Sequence, residues 1–88
     1  MTNAGYEIVT SHTVGKYGAA IGVRRGIACG PAPIAVWSIT NDGGKIAYYW
    51  GAYCSDKNTA VQAYVKKLES AARDASREVW EALENAAV

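Results

Sequence analysis

Apolar residues recur with two different periods along this chain of 88 residues. In the first two thirds they alternate with polar residues or form short runs rich in β-branched and aromatic side chains, a pattern typical of strands. From residue 60 onward they return every three or four positions, the period of a helix that buries one side. The pattern predicts an α+β domain, with an antiparallel sheet of about four strands over residues 1–54 and one long C-terminal helix within residues 55–88, packed on one face of the sheet.

The first predicted hairpin joins residues 6–14 to residues 19–25 through a turn at Lys16 and Tyr17. With that turn, alternate residues of the two strands share one side of the sheet. We expect that side to face the core, and it carries Ile8, Thr10, His12, Val14, Ala19, Ile21 and Val23. Residues 26–33 then contain two glycines and two prolines, which predicts a connection or an irregular edge.

The second predicted hairpin has the clearest turn signal in the chain, Asn-Asp-Gly-Gly at residues 41–44. A turn at Asp42 and Gly43 pairs residues 34–40 with residues 45–54. One face of this hairpin is apolar, and we expect it to lie under the helix; it carries Ala35, Trp37, Ile39, Ile46, Tyr48 and Trp50. The other face is mixed, as in a sheet covered on one side, and carries Ile34, Val36, Ser38, Thr40, Lys45, Ala47, Tyr49 and Tyr53.

The predicted helix has three candidate N-caps, Ser55, Asp56 and Asn58. Its apolar stripe consists of Val61, Val65, Leu68, Ala72, Ala75, Val79, Ala82 and Ala86. A helix over residues 60–85 would be about 39 Å long, whereas an eight-residue strand spans about 26 Å. We therefore expect it to overhang the sheet, or to bend near residues 70–74. An overhang favours a homodimer through the C-terminal helix, whereas a bend would close the core within one chain.

Composition and charge predict a single folded domain and argue against a duplex-binding or membrane protein. Half of the residues are hydrophobic and 19% are charged, a balance at which a chain folds as one domain. The net charge of +1 lacks the basic footprint of a duplex-binding protein, although residues 1–68 carry +4 and residues 69–88 carry −3. No stretch is long and apolar enough to span a bilayer and the N-terminus has no targeting pattern, which predicts a cytoplasmic protein without membrane contact.

Groups for catalysis or metal binding are scarce. His12 is the single histidine, and Cys29 and Cys54 lie 25 positions apart without a second metal-binding pair. Neither Gly-Lys pair is followed by the Ser or Thr of a phosphate-binding loop. We expect His12 to be a hydrogen-bonded structural residue and both cysteines to be small buried hydrophobes. The sequence predicts a protein that is not an enzyme and that holds no metal or cofactor.

Two groups of residues are candidates for binding. Tyr49 and Tyr53, with Lys45 and Arg24 beside them, would form an aromatic sheet face flanked by bases, a design that stacks single-stranded nucleic acid. Half-buried tyrosines with a structural role would give the same pattern. Trp80 lies at the edge of the helix stripe, where it would anchor a protein partner. The low net charge favours a protein partner over nucleic acid, which stays the alternative.

The layout also resembles a group of small proteins from bacteriophages and mobile elements. The resemblance covers residues 36–75: a turn at 41–44, an aromatic strand at 48–51 and Ser55 leading into an Ala-rich helix. Several anti-CRISPR proteins share this plan, as do phage regulators and antitoxin-like domains. The resemblance implies an inhibitor that occludes a surface of a bacterial defence nuclease complex in the host cell. The net charge of +1 differs from that of acidic nucleic-acid mimics in this group.

Overall fold

The computed structural model describes residues 1–24 and 32–86. Five strands and one helix follow in the order β1 (Thr2–Asn3), β2 (Tyr6–Val14), β3 (Tyr17–Val23), β4 (Ile34–Asp42), β5 (Lys45–Cys54) and α1 (Lys57–Asn85). All strand pairs are antiparallel and the sheet order is the chain order. The predicted α+β architecture is confirmed, with five strands instead of about four because a short N-terminal strand pairs with β2.

Both predicted hairpins form, but each turn is displaced by one residue. Val14 pairs with Tyr17, which leaves residues 15–16 as the first turn. In the second hairpin Gly43 and Gly44 form the turn, with φ angles of 63° and 91°. A type I′ turn needs positive φ at both central positions, and two glycines meet that need without steric cost, unlike the predicted pair with Asp42. The predicted connection at residues 26–33 lies mostly outside the described residues.

A β-bulge in β2 changes which of its side chains share a face. Ile8 pairs with Gly22 and Thr10 pairs with Ile21, so Val9 is an extra residue without a partner. Each extra residue reverses the alternation of side chains between the two faces. Ile8 therefore packs on the face opposite His12 and Ala19, and its predicted place beside them is wrong.

The helix α1 covers the mixed face of the second hairpin, which was predicted to be uncovered, and not its apolar face. Its buried residues Ala60 and Tyr64 pack with Ala19, Val36 and Cys54. The prediction that α1 lies over Trp37, Ile39, Ile46, Tyr48 and Trp50 is wrong. Small side chains on both layers allow close approach of the helix, whereas a face of large rings would hold it away.

The opposite face has an apolar cluster of its own. Trp37 is buried there, and its ring meets the rings of Tyr6 and Tyr48 edge to face at centroid distances of 5.7 and 5.8 Å. The buried members of this cluster are Tyr6, Ala20, Ala35, Trp37 and Ile39. The sheet thus has apolar packing on both faces, which the one-sided pattern did not predict.

The helix begins after Asp56, one of the three predicted N-cap candidates, and is continuous from Lys57 to Asn85. Asp56 accepts hydrogen bonds from the backbone N–H and the hydroxyl of Thr59, at 2.8 and 2.9 Å. Near the β2–β3 turn, Lys16 lies 3.5 Å from Glu78, and every described residue beyond Ala75 is exposed. The predicted overhang is confirmed, and the alternative in which the helix breaks near residues 70–74 and folds back to close the core is wrong, because α1 is continuous through these residues. No helix in the described part of the chain has the length and apolarity needed to cross a membrane.

Candidate functional site

A second β-bulge, in β5, decides where the predicted aromatic site residues lie. Trp50 and Gly51 together stand opposite Trp37, so β5 has one residue more than β4 at this point. Because the alternation reverses there, Tyr49 lies on the face covered by α1 and Tyr53 lies on the other face. The predicted platform with both tyrosines on one face is wrong.

Trp50 has an unusual backbone conformation and an exposed ring. Its φ angle is 56° and 78% of the residue is exposed. The first residue of such a bulge is usually glycine, because a side chain makes the left-handed conformation less stable by roughly 1–2 kcal/mol. The Trp50 carbonyl accepts a hydrogen bond of 2.5 Å from Lys67 Nζ, which connects the bulge to α1. Partial burial lowers the pKa of that lysine.

Trp50 stands at the edge of a groove of about 660 Å³ between β5 and α1. Its lining combines aromatic rings, hydroxyls and two amines, and includes Tyr17, Tyr49, Lys66, Lys67, Ser70 and Asp74. Sequence reasoning missed Trp50, Lys66 and Lys67 as site residues. Gly51, an isolated glycine within a strand pattern, is the signal that could have indicated the bulge.

The remaining predicted site residues lie elsewhere. Arg24 stacks on Tyr6, with its guanidinium carbon 4.3 Å from the ring centroid, and donates a hydrogen bond to the Ala4 carbonyl at 2.9 Å. Tyr53 also approaches Tyr6, at a centroid distance of 6.0 Å, so these two predicted residues share the face away from α1. Lys45 begins β5 beside the turn and does not line the groove.

Large apolar side chains on α1 are exposed instead of buried. Residues Val61, Val65, Val79 and Leu83 are 46–59% exposed, and Trp80 is 67% exposed as predicted. The predicted burial of Val61 and Val65 on the sheet is wrong, because α1 instead buries a side that includes Ala60, Tyr64 and Ala71, whereas the exposure of Val79 agrees with the predicted overhang. We call Val61, Val65, Ala72, Val79 and Leu83 the outer stripe. It lies about 100° around the helix from the buried side.

The His12 side chain is hydrogen-bonded as expected, although the residue is exposed. Its Nδ1 lies 2.6 Å from the Tyr64 hydroxyl, which donates a hydrogen bond to the Ala19 carbonyl at 3.2 Å. Burial raises the pKa of Tyr64. Cys54 is buried as predicted, whereas Cys29 lies outside the described residues. Within residues 1–24 and 32–86, no group of three or more His, Cys, Asp and Glu side chains could hold a metal ion.

Comparison with known proteins found no matching protein-family model, no matching curated protein and no matching solved structure.

Proposed function

We propose that this protein is a non-enzymatic inhibitor or regulator that binds a protein partner through Trp50, Tyr49, Lys66 and Lys67, here called the Trp50 surface. The observation that carries the proposal is the exposed indole of Trp50 on a left-handed residue. This conformation makes the isolated chain less stable, and such outliers cluster at functional sites. Trp and Tyr are also among the residue types that dominate the binding energy of protein interfaces.

The charged residues beside Trp50 indicate the chemistry of the partner's surface. Lys66 is exposed, and Lys67 holds the Trp50 carbonyl from α1. Residues 1–68 carry a net charge of +4, and the charged residues that line the groove beside Trp50 are Lys66, Lys67 and Asp74, two basic and one acidic. We expect the partner to present an apolar pocket for the indole with carboxylates at its rim, because complementary rim charges steer association.

The resemblance to anti-CRISPR proteins supplies a class of partner for the first tests. A bacterial defence nuclease complex in the host cytoplasm would be inhibited by occlusion of one of its surfaces. An inhibitor of this kind needs no catalytic group and no cofactor, and acts at one copy per site.

Single-stranded nucleic acid is the second candidate ligand. The sheet-face platform predicted for it does not form, but the groove keeps three rings and two lysines together: Tyr17, Tyr49, Trp50, Lys66 and Lys67. Base stacking on aromatic rings beside cations is the chemistry that single-strand binders use. Oligonucleotide retention that falls steeply with added salt would favour this candidate over a protein partner.

Affinity capture from a nuclease-treated bacterial lysate, read by mass spectrometry, tests the proposal. Trp50→Ala removes the indole, and Tyr53→Ala is the matched control because it removes an exposed ring from the opposite face. We expect wild type and Tyr53→Ala to retain the same protein, and Trp50→Ala to bind it at least about 30-fold more weakly, as for a residue that dominates an interface. Equal capture by Trp50→Ala would contradict the proposal.

A further inference from the structure

The outer stripe of α1 has a spacing that is symmetric about its centre. Val61, Val65, Ala72, Val79 and Leu83 are separated by four, seven, seven and four positions. Reversing the direction of the helix about Ala72 therefore exchanges Val61 with Leu83 and Val65 with Val79. A stripe with this property is complementary to a second copy of itself related by a two-fold axis through Ala72, as an isologous dimer requires.

The charges of α1 select the same arrangement. Residues 57–70 contain three lysines and one glutamate, giving +2, whereas residues 71–85 contain two arginines and four acidic residues, giving −2. In an antiparallel pair each half of positive net charge lies along a half of negative net charge, whereas a parallel pair would align halves of like net charge. This preference acts between whole helices and not within the stripe, because Lys66 and Lys67 line the groove. The helix also has no basic residue in its last turn, so the C-terminal end of its macrodipole lacks the compensating charge that the Asp56 cap supplies at the N-terminal end. An antiparallel neighbour brings the basic half of a second helix to that end.

We propose that two copies of this protein form an antiparallel dimer through the outer stripe, with the two-fold axis at Ala72. The stripe spans residues 61–83, which corresponds to about 33 Å of helix and three heptads. Ala72 at the axis lets the two helices approach closely, and the four larger side chains pack on either side of it. This interface lies roughly opposite Lys66 and Ser70, which line the groove, so the dimer does not depend on the proposed function of Trp50.

Light scattering at concentrations of tens of micromolar tests the dimer, with wild type expected at twice the 9.4 kDa mass of one chain. V65E and V79K should each give monomers, because each places a charge in the apolar interface. The double variant V65E/V79K should return to twice the monomer mass, because the antiparallel register places the introduced carboxylate of one copy beside the introduced amine of the other. Both positions are about half exposed in one chain, so circular dichroism should show an intact fold in all three variants.

The outcomes separate the two parts of the proposal. Wild type at 9.4 kDa would overturn the dimer. Monomeric single variants together with a monomeric double variant would overturn the antiparallel register, because a parallel pair would place residue 65 beside its own copy. A single variant that stays dimeric would show that the outer stripe is not part of the dimer interface.

Discussion

Gly18 and Trp50 differ in how well the residue type suits its place in the sheet. A Cβ atom at Gly18 would overlap the His12 carbonyl oxygen and lie 2.9 Å from Thr13 Cα, so only glycine fits between β2 and β3. At Trp50 the backbone takes a conformation that glycine adopts readily, yet the chain has its largest type of side chain there. Packing explains why residue 18 is glycine, whereas packing does not explain why residue 50 is tryptophan.

Substitution of Gly18 by Ala should therefore destabilise the fold. The atoms in its way are backbone atoms of the neighbouring strand, which can yield only if the pairing of β2 with β3 is distorted. We expect a loss of about 3 kcal/mol in the free energy of unfolding, measured by chemical denaturation. Gly43→Ala is the control: no atom lies within 4 Å of its Cβ position, and its positive φ should cost only about 1 kcal/mol. Equal losses in the two variants would contradict the steric explanation.

The helix α1 depends on its N-cap and on packing more than on its charges. Lys57 lies in its first turn and Glu84 in its last, and both charges are unfavourable for the macrodipole. Hydrogen bonds from Thr59 lower the pKa of the Asp56 carboxyl below its ordinary value. A lowered pKa in the folded state means that the charged cap contributes stability above the unfolded value, and that this contribution is lost as pH falls through the folded pKa.

Asp56→Asn isolates this pH dependence, because asparagine is also a good N-cap but does not titrate. We expect the thermal midpoint of wild type to exceed that of Asp56→Asn by a larger margin at neutral pH than in acid well below the ordinary pKa of an aspartate. Thermal unfolding followed by circular dichroism at several pH values measures this margin. A margin that does not change between neutral and acid pH would show that the Asp56 charge does not stabilise α1.

The elements were predictable from the sequence, but the faces of the sheet were not. Asp-Gly-Gly indicated the second hairpin, and the long stretch without Gly or Pro indicated a continuous helix. The two bulges, at Val9 and Trp50, each reverse the alternation within a strand. Neither residue is a typical bulge residue, so residues beyond the bulges were assigned to the wrong side. The stripe of valines also suggested the wrong side of α1, because close packing of Ala60 and Ala71 decided its orientation.

The helix α1 separates the two proposed contact surfaces of the molecule. The Trp50 surface lies on the side where α1 meets β5, and the outer stripe lies roughly opposite it around the helix. A dimer through the outer stripe therefore leaves two copies of the Trp50 surface accessible. Two linked copies bind a partner that presents its own site twice with higher apparent affinity than one copy does.

The chain holds the Trp50 indole at the surface on a backbone conformation that favours glycine. Chemical denaturation of Trp50→Gly beside Trp50→Ala tests it most directly, because both variants lose the ring and differ chiefly in their tolerance of positive φ. We expect Trp50→Gly to be more stable than Trp50→Ala by about 1 kcal/mol. In an ordinary strand the order is reversed, since glycine is the less stable of the two by roughly 0.5–1 kcal/mol. A Trp50→Gly variant that is less stable than Trp50→Ala would show that residue 50 does not have a left-handed backbone conformation.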